Sequence, residues 1–405
     1  MLLIDFFELA PINFLLPIKT MQPDRVTFII DVSKVDTVDA RHVRESVENV
    51  EGVEEFKYVP VDANNVEAIK EQIKKLVDAA EPGEEVYIDI TGGTDLMVAS
   101  GYSAASETRA IPIHIDIVND TVFRVDTLEK IADVNHISLK DYLTAIGAKQ
   151  LKGSHKDPDD EEAERICEMA EILFKKTSEW NALCSKIATA FSKAEDQSSL
   201  KFTITDKIVY TNKKSFNPKG LMKDFCRRGF VTYLGDGENE TGMPGEREFH
   251  YELTDEKYRE YMTVYGEWLE MYVYLKLKPY FDEAYLGMVI DWDNDDEIDT
   301  VDNEIDVALM KNSVPYFISC KMRRIEASDI YEIGFITEHF GGEYGKSYIA
   351  TTHDLSGRSR GAVNLKGKME KMNVGMVYVR DKSALNKVVR SQRLKPVVVE
   401  EDMPS

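Results

Sequence analysis

The sequence predicts an α/β protein in three blocks: an α/β domain over residues 1–147, a small mixed α/β connector over 148–255 and a second α/β domain over 256–405. Three observations carry this. Strand-type and helix-type stretches alternate through the first third, a polar stretch "KGSHKDPDDEEAE" interrupts them, and the alternation resumes near residue 256. A chain of 405 residues also exceeds what one ordinary hydrophobic core organises.

In the first block, "MLLIDFF" and "RVTFIIDV" read as strands and "ARHVRESVENV" as a helix. "NNVEAIKEQIKKLVDAA" puts Val66, Ile69, Ile73, Leu76 and Val77 on one helical face. "EEVYIDI" returns to strand, "LMVASGYSAASE" to helix, and "IPIHIDIV" and "TVFRVDT" to strand, so parallel strands joined by crossover helices are expected. In the connector a helical region reaches to about residue 195, "KFTITD" and "KIVYTN" are strand-like, "PKGLMKDFCRRGFVTYL" reads as helix then strand, and "GDGENETGMPGERE" as a hairpin tip. A winged-helix-like connector is one possibility.

The third block opens with one long helix, "DEKYREYMTVYGEWLEMYVYLKLKPYF", whose Tyr261, Val264, Trp268, Tyr272 and Leu275 keep helical spacing. Strands "LGMVIDW", "EIDVALM" and "VPYFISCK" follow, then a helix through "ASDIYEIGFITEHF", a "GGEYGKSY" turn, strand "YIATT", and a helix and strand ending in "VGMVYV". The tail "VVVEEDMPS" is expected to fray.

Composition excludes several classes. With 43% hydrophobic and 30% charged residues the chain reads as soluble and globular. No apolar run reaches the roughly 20 residues of a spanning helix, and "MLLIDFFELA" contains Asp5 and no basic flank, so it is not a secretory signal and the cytoplasm is expected. Cys167, Cys184, Cys226 and Cys320 form no CxxC pair and read as reduced thiols. A net charge of −23 argues against nonspecific coating of nucleic acid, so a polynucleotide has to meet a metal ion or a local basic patch such as "GRSRGAVNLKGKMEK", residues 357–371.

Two stretches carry chemistry. "DITGGTDLM", residues 89–97, runs from strand through glycines into helix, where backbone amides and a helix N-terminus can hold an anion. It lacks the lysine of a Walker loop, and a tight structural turn reads the same way. The loop holding Asn13 follows the first strand and is expected on the same sheet edge as Thr91, Gly92, Gly93 and Thr94. The second stretch, "NEIDVALMKNSVPYFISCK", reads as a hairpin in which alternation puts Glu304 and Asp306 on one face and Ser319 with Lys321 on one face.

The "NFLLPIK" opening, the "DITGGT" loop and "SLKDYL" resemble the CRISPR-associated Rossmann fold, or CARF, sensor domains, in the subgroup fused to a restriction-type nuclease, the CRISPR ancillary nucleases. The ordered set "GEWLE", "NEIDV", "FISCK" and "HFGGEYGK" resembles the PD-(D/E)xK nuclease domain of that family. The resemblance spans roughly residues 1–147 and 260–380 and leaves the middle poorly matched.

It implies a Rossmann-like sensor that binds a cyclic oligoadenylate, usually cyclic tetra-adenylate, at Asn13 and Thr91 to Thr94, with one ring across the two-fold axis of a homodimer. It further implies an endonuclease of type III CRISPR defence that uses Mn2+ or Mg2+ to cleave DNA, RNA or both. Asp306 and Lys321 match the catalytic pattern, Glu304 lies beside them, and Glu270 resembles the family's helical glutamate. Two positions depart from the pattern. Asp95 stands where family loops carry lysine, leaving Lys19 or Arg109 as a substitute cation, and Ser319 stands where the second acid is usual. Within the superfamily that acid can move to the following helix, which offers Glu326, Asp329 and Glu332; the expected metal ligands are Asp306 and Asp329, with Glu332 as second choice. Bulking Gly93 is expected to weaken ligand binding without unfolding the domain.

A rival reading stays open at this point. A ligand-responsive regulator would use the connector as a DNA-binding winged helix, with Lys219, Lys223, Arg227 and Arg228 on its recognition helix, and would keep the last domain as a silent scaffold.

Overall fold

The structure, a computed structural model, describes residues 1–38, 40–152, 157–210, 214–238, 247–292, 302–381 and 383–391. Part of the expected linker (153–156), the expected hairpin tip (239–246) and the acidic tail lie outside these residues.

The sensor block contains β1 (Leu2–Phe6), α1 (Pro11–Met21), β2 (Arg25–Asp31), α2 (Val35–Val38), α3 (Arg41–Glu48), β3 (Glu55–Val61), α4 (Val66–Ala79), β4 (Val86–Asp89), α5 (Asp95–Ser106), β5 (Ile111–Asp116), β6 (Thr121–Arg124), β7 (Lys130–Asp133) and α6 (Leu139–Ala145). Its seven strands run in the order β3-β2-β1-β4-β5-β6-β7. The pairs from β3 to β5 are parallel, and β6 and β7 add an antiparallel edge. The strand order reverses between β2-β1 and β4, which is where a doubly wound sheet opens a ligand crevice at its carboxyl edge. Asn13 lies in the first turn of α1 and not in a loop: Pro11 occupies the start of that helix, where its missing N–H costs nothing, and Pro17 is accommodated inside it.

The connector contributes β8 (Lys149–Lys152), α7 (Asp160–Lys175), α8 (Thr177–Ser192), β9 (Lys201–Thr205), β10 (Ile208–Val209), β11 (Ser215–Phe216), α9 (Lys219–Arg227), β12 (Val231–Glu238) and β13 (Arg247–Leu253). Its three-stranded sheet has the order β12-β13-β9. β8 does not join it; it pairs antiparallel with the nuclease sheet as an edge strand. The expected recognition helix leaves Lys219, Lys223 and Arg227 exposed, with partners close to most of its cations. Lys219 lies over the Phe249 ring at 4.8 Å and near Asp236, Arg228 pairs with Glu168, and Arg227 faces Asp224. Three of the four cations the regulator reading needs thus have an acidic partner within the connector, and Arg228 is the one largely covered.

The third block has α10 (Tyr258–Thr263), α11 (Glu267–Leu277), β14 (Glu283–Asp291), β15 (Asp302–Lys311), β16 (Val314–Lys321), α12 (Ala327–Gly341), β17 (Lys346–Thr351), α13 (Arg360–Lys371), β18 (Val374–Tyr378) and α14 (Ala384–Ser391). The sheet order is β18-β17-β16-β15-β14-β8. The single opening helix expected from spacing is two, because the chain turns extended at Val264 and restarts after Gly266. Val264 is consequently exposed.

Two buried clusters tie the blocks together. One runs from α7, α8 and the connector sheet into α11 and one face of the nuclease sheet; in it Trp268 packs on Trp180, Phe225 and Phe230. The other joins the α1, α3 and α6 side of the sensor sheet to α12 and the opposite nuclease face. The boundaries expected at 147 and 255 therefore do not separate independent cores.

Candidate functional site

The β15–β16 hairpin turns at Asn312 and Ser313, both at positive φ (50° and 63°), as a two-residue hairpin turn requires. The turn is anchored on the sensor block: Ser313 Oγ accepts from the Ile137 N–H at 2.9 Å, and Asn312 Nδ2 donates to Asp120 at 3.2 Å. Along the hairpin, Asp306 Oδ2 accepts from the Cys320 N–H at 2.5 Å and from Ser319 Oγ at 3.3 Å, and Lys321 Nζ lies 3.6 Å away. Ser319 thus orients the carboxylate across the strand from it.

Facing this hairpin is the first turn of α11 with Glu267 and Glu270. The neighbouring Trp268 sets that turn, since its indole N–H donates to the Tyr261 carbonyl at 2.6 Å inside the aromatic cluster. Gly266 leaves the space the acid uses: a Cβ there would sit 2.8 Å from Glu270 Oε1. Burial, then Asp306, Glu267 and Glu304, push Glu270 up to about 9, with Lys321 opposing. Burial, then Glu260, Glu304 and Asp306, push Glu267 up to about 7. Burial works against the charge of Lys321, but Asp306, Asp329, Cys320 and Glu332 outweigh it and raise its pKa. The charges of Glu270 and Asp306 thus act both on one another and on Lys321, with Glu267 and Glu304 adding to the negative field at Glu270.

On the sensor sheet, Thr94 caps α5 by accepting from the Met97 N–H at 3.3 Å, and Thr91 Oγ donates to Asp89 at 2.5 Å while accepting from the Ile115 N–H at 2.8 Å. Asn13 reaches the same edge. A Cβ on Gly92 would stand 3.5 Å from Asn13 Cβ and 3.6 Å from Glu8 Oε2, so the loop and the α1 start do form one surface. Asn13 Nδ2 donates to Glu8 at 2.6 Å, and its Oδ1 accepts from the Tyr344 hydroxyl, a nuclease-block residue, at 3.2 Å.

Residues 255–385 match the Card1-like endonuclease domain family. The C-terminal block is thus similar to a Card1-like endonuclease domain over those residues. The chain is therefore an endonuclease, and a domain of this type requires a divalent metal. Two solved structures share the fold over nearly the whole chain. Protein VC1899 from Vibrio cholerae is 17% identical with a TM-score of 0.72, covering 97% of this chain and 98% of its own. Can2 from Sulfobacillus thermosulfidooxidans, solved in complex with cyclic tetra-adenylate, is 15% identical with a TM-score of 0.65, covering 96% and 99%. No curated protein sequence matches the chain.

The Card1-like domain fits a divalent ion through its donor set. Among the described residues no group of three or more His, Cys, Asp or Glu side chains is gathered as a complete shell. A complete shell is not needed, because hard divalent cations are often held by one or two carboxylates plus water and phosphate. Asp306 and Glu270 would be the pair to hold it: their charges oppose one another, with Lys321 3.6 Å from the Asp306 carboxylate.

The structure gives the expected metal ligand on α12 other partners. Asp329 has both oxygens engaged, Oδ1 by Arg323 at 2.6 Å and Oδ2 by Arg323 at 2.9 Å and by the Glu326 N–H at 2.7 Å, and it completes a capping box with Glu326. This buried carboxylate starts a helix and neutralises an arginine. Glu332 stays exposed on α12 and reaches Lys321 only as a long-range charge. Glu267 was missing from the expected set, although three-residue spacing from Glu270 places both on one helix face.

Neither substitute cation serves the sensor loop. Arg109 donates to the carbonyls of Ala80 and Glu81, which precede β4 at the amino edge of the sheet, opposite the glycines. Lys19 is paired with Asp141 at 2.5 Å.

Beneath the loop, Asp5 and Asp89 lie side by side in the β1–β4 register, both fully buried. Burial and then Asp89 raise Asp5 well above the ordinary carboxylate range, and burial raises Asp89 to about 6. A raised folded pKa means the fold holds these protons more tightly than the unfolded chain, so stability falls as pH rises from the ordinary range through 6. Asp5→Asn is expected to raise the unfolding temperature at about pH 8 and far less at about pH 5. A variant destabilised at both would refute this account of the pair.

Proposed function

We propose that the protein is a cytoplasmic, homodimeric endonuclease of type III CRISPR defence, switched on by a cyclic oligoadenylate and cleaving DNA or RNA with Mn2+ or Mg2+. The observation that carries the reading is the direct contact between Asn13, beside the glycine loop, and Tyr344 of the endonuclease domain. The edge that carries the glycine loop thus makes a direct hydrogen bond to the endonuclease domain. The bound ligand of the similarly folded Can2 favours cyclic tetra-adenylate among ring sizes. With Asp95 in place of a lysine, recognition rests on the backbone amides at the α5 start and on Asn13.

In the nuclease, the divalent ion supplies charge stabilisation and an activated water when bound. The chain's own groups do the rest. Asp306 is aimed by the Cys320 amide and Ser319 hydroxyl, Glu270 is presented by the first turn of α11, and Lys321 offers a positive charge to the phosphate. α12 links the two sites, since its first turn carries Asp329 beside Lys321 and the turn after its end carries Tyr344.

The direct test incubates the purified protein with Mn2+ or Mg2+, cyclic oligoadenylates of several sizes, and plasmid, single-stranded DNA or RNA. Cleavage only with a ring present supports the reading; equal cleavage without any ring refutes the activation step. Tyr344→Phe is expected to lower the ring concentration needed for half-maximal cleavage several-fold. It removes one neutral hydrogen bond, about 1 kcal/mol, from the ligand-free state. An unchanged dose response would break the proposed link.

A further inference from the structure

β16, β17 and β18 are parallel and in register, with Lys321 opposite Thr351 and Thr351 opposite Tyr378. The segments that leave them therefore emerge on one edge, beside the catalytic lysine. Those segments are rich in cations: Arg324 after β16, His353, Arg358 and Arg360 after β17, and Arg380 after β18. Arg324, Arg358 and Arg360 are exposed, and none of the three makes a salt bridge among the described residues. The Arg324 guanidinium lies 3.8 Å from where a Cβ on Gly361 would stand, over the start of α13. His353 is depressed by burial and then by Arg380 and Arg324, so these two arginines converge on it. Of the acids at this edge, Asp354 bonds Ser356 and Asp381 bonds Ser383, while Glu326 and Asp329 cap the start of α12. Next to this edge Tyr331 is half exposed on α12, with Lys368 of α13 over its ring at 4.9 Å.

We propose that Arg324, Arg358 and Arg360 form a phosphate-binding rim for the substrate, and that Tyr331 stacks a base of a single strand crossing it. The inference rests on the endonuclease assignment and is independent of the activator. In a chain of net charge −23 the long-range field repels polynucleotides, so a local rim has to hold the backbone. Arginines beside an exposed aromatic are the combination that grips single strands, phosphates on the guanidinium groups and a base on the ring. The other occupant to consider is a second copy of the chain, which the test separates.

Binding is read by fluorescence anisotropy of a labelled oligonucleotide in EDTA, as single-stranded DNA, single-stranded RNA and duplex DNA, over a range of salt. Arg324→Ala, Arg358→Ala and Arg360→Ala combined are expected to weaken single-strand binding about tenfold or more. The slope of log affinity against log salt should shrink by roughly 2, about 0.7 per lost phosphate contact. Tyr331→Ala should weaken single strands and leave duplex unchanged. With divalent ion and activator, the triple variant should need more substrate while its single-turnover rate at saturation stays near wild type. Arg358→Glu alone, on an exposed loop, repeats the test at little risk to folding. Unchanged affinity and salt slope would overturn the proposal. So would loss of the dimer by sedimentation with single-strand affinity intact, which would make this edge a contact between copies; a Tyr331→Ala loss equal on duplex and single strand would overturn the stacking half.

Discussion

Asp306→Asn is expected to reduce cleavage about 10²–10³-fold or more, the scale on which one electrostatic partner of a transition state is lost. Activator binding should stay within twofold of wild type, since Asn13 and the glycine loop belong to the sensor sheet. The same change should make the metal-free protein slightly more stable. The Cys320 amide can still donate to the asparagine oxygen, while Glu270 and Glu267 lose a like charge that opposes their ionisation. A divalent ion should then raise the melting temperature of the wild type by mass action and that of the variant much less. An active variant, or one that melts lower than wild type and gains as much from the ion, would remove Asp306 from the site.

That opposite sign distinguishes catalytic acids from structural ones in this domain. Asp329→Ala should show the reverse pattern. It would strand Arg323 and uncap α12, costing roughly 1 kcal/mol from the cap alone, and any loss of cleavage should track the loss of helix order. At Glu267, Glu270, Glu304 and Asp306 like charges oppose one another with Lys321 beside Asp306, whereas both oxygens of Asp329 are engaged by Arg323 and the Glu326 N–H. On the proposed reading, the α11 glutamate Glu270, whose charge interacts with that of Asp306, takes the place of a replacement acid on α12.

How far the sequence could be read follows from the range of each interaction. The hairpin was legible because two-residue alternation and a two-residue turn are local, and so was α5, whose Thr94 cap and glycines are contiguous. The α1 helix was obscured by Pro11 and Pro17, whose effect depends on their place within the helix. β8 was invisible as a nuclease strand because its partner, β14, lies more than a hundred residues along the chain. The role of Asp329 was readable in part: an acid at the cap and another three residues on is a capping signature. What the sequence could not show was Arg323 folding back onto it. Arg109 and Lys19 failed as phosphate partners for the same reason, since their distance from the glycine loop depends on which sheet edge each helix end reaches. Tyr344 was inside a quoted motif, yet nothing local announced that it would touch Asn13.

Gly93→Val should destabilise the sensor by about 2–6 kcal/mol, combining roughly 1–3 for a branched residue at positive φ with roughly 1–3 for overpacking. The expectation that bulking this glycine would spare the fold does not survive the geometry. Gly93 has φ +95°, and a Cβ there would lie 2.7 Å from Phe6 Cβ, while the Phe6 ring fills the space a Cβ on Gly101 would take, 2.7 Å from that position. Phe6 ends β1 and is fully buried, so it has nowhere to retreat. Its neighbour separates the two roles. Gly92 has no positive φ, and its Cβ would make ordinary contacts at 3.5–3.6 Å with Asn13, Glu8 and the Phe6 carbonyl. Gly92→Ala should therefore fold and melt like wild type while adding a methyl to the surface where backbone amides would meet the ring. Calorimetry on both variants is the check: Gly93→Val losing stability and binding together, Gly92→Ala losing binding alone. If Gly93→Val melts with the wild type, the tight packing of the loop on Phe6 is wrong, and if Gly92→Ala binds the ring with full affinity, the ligand does not approach this loop.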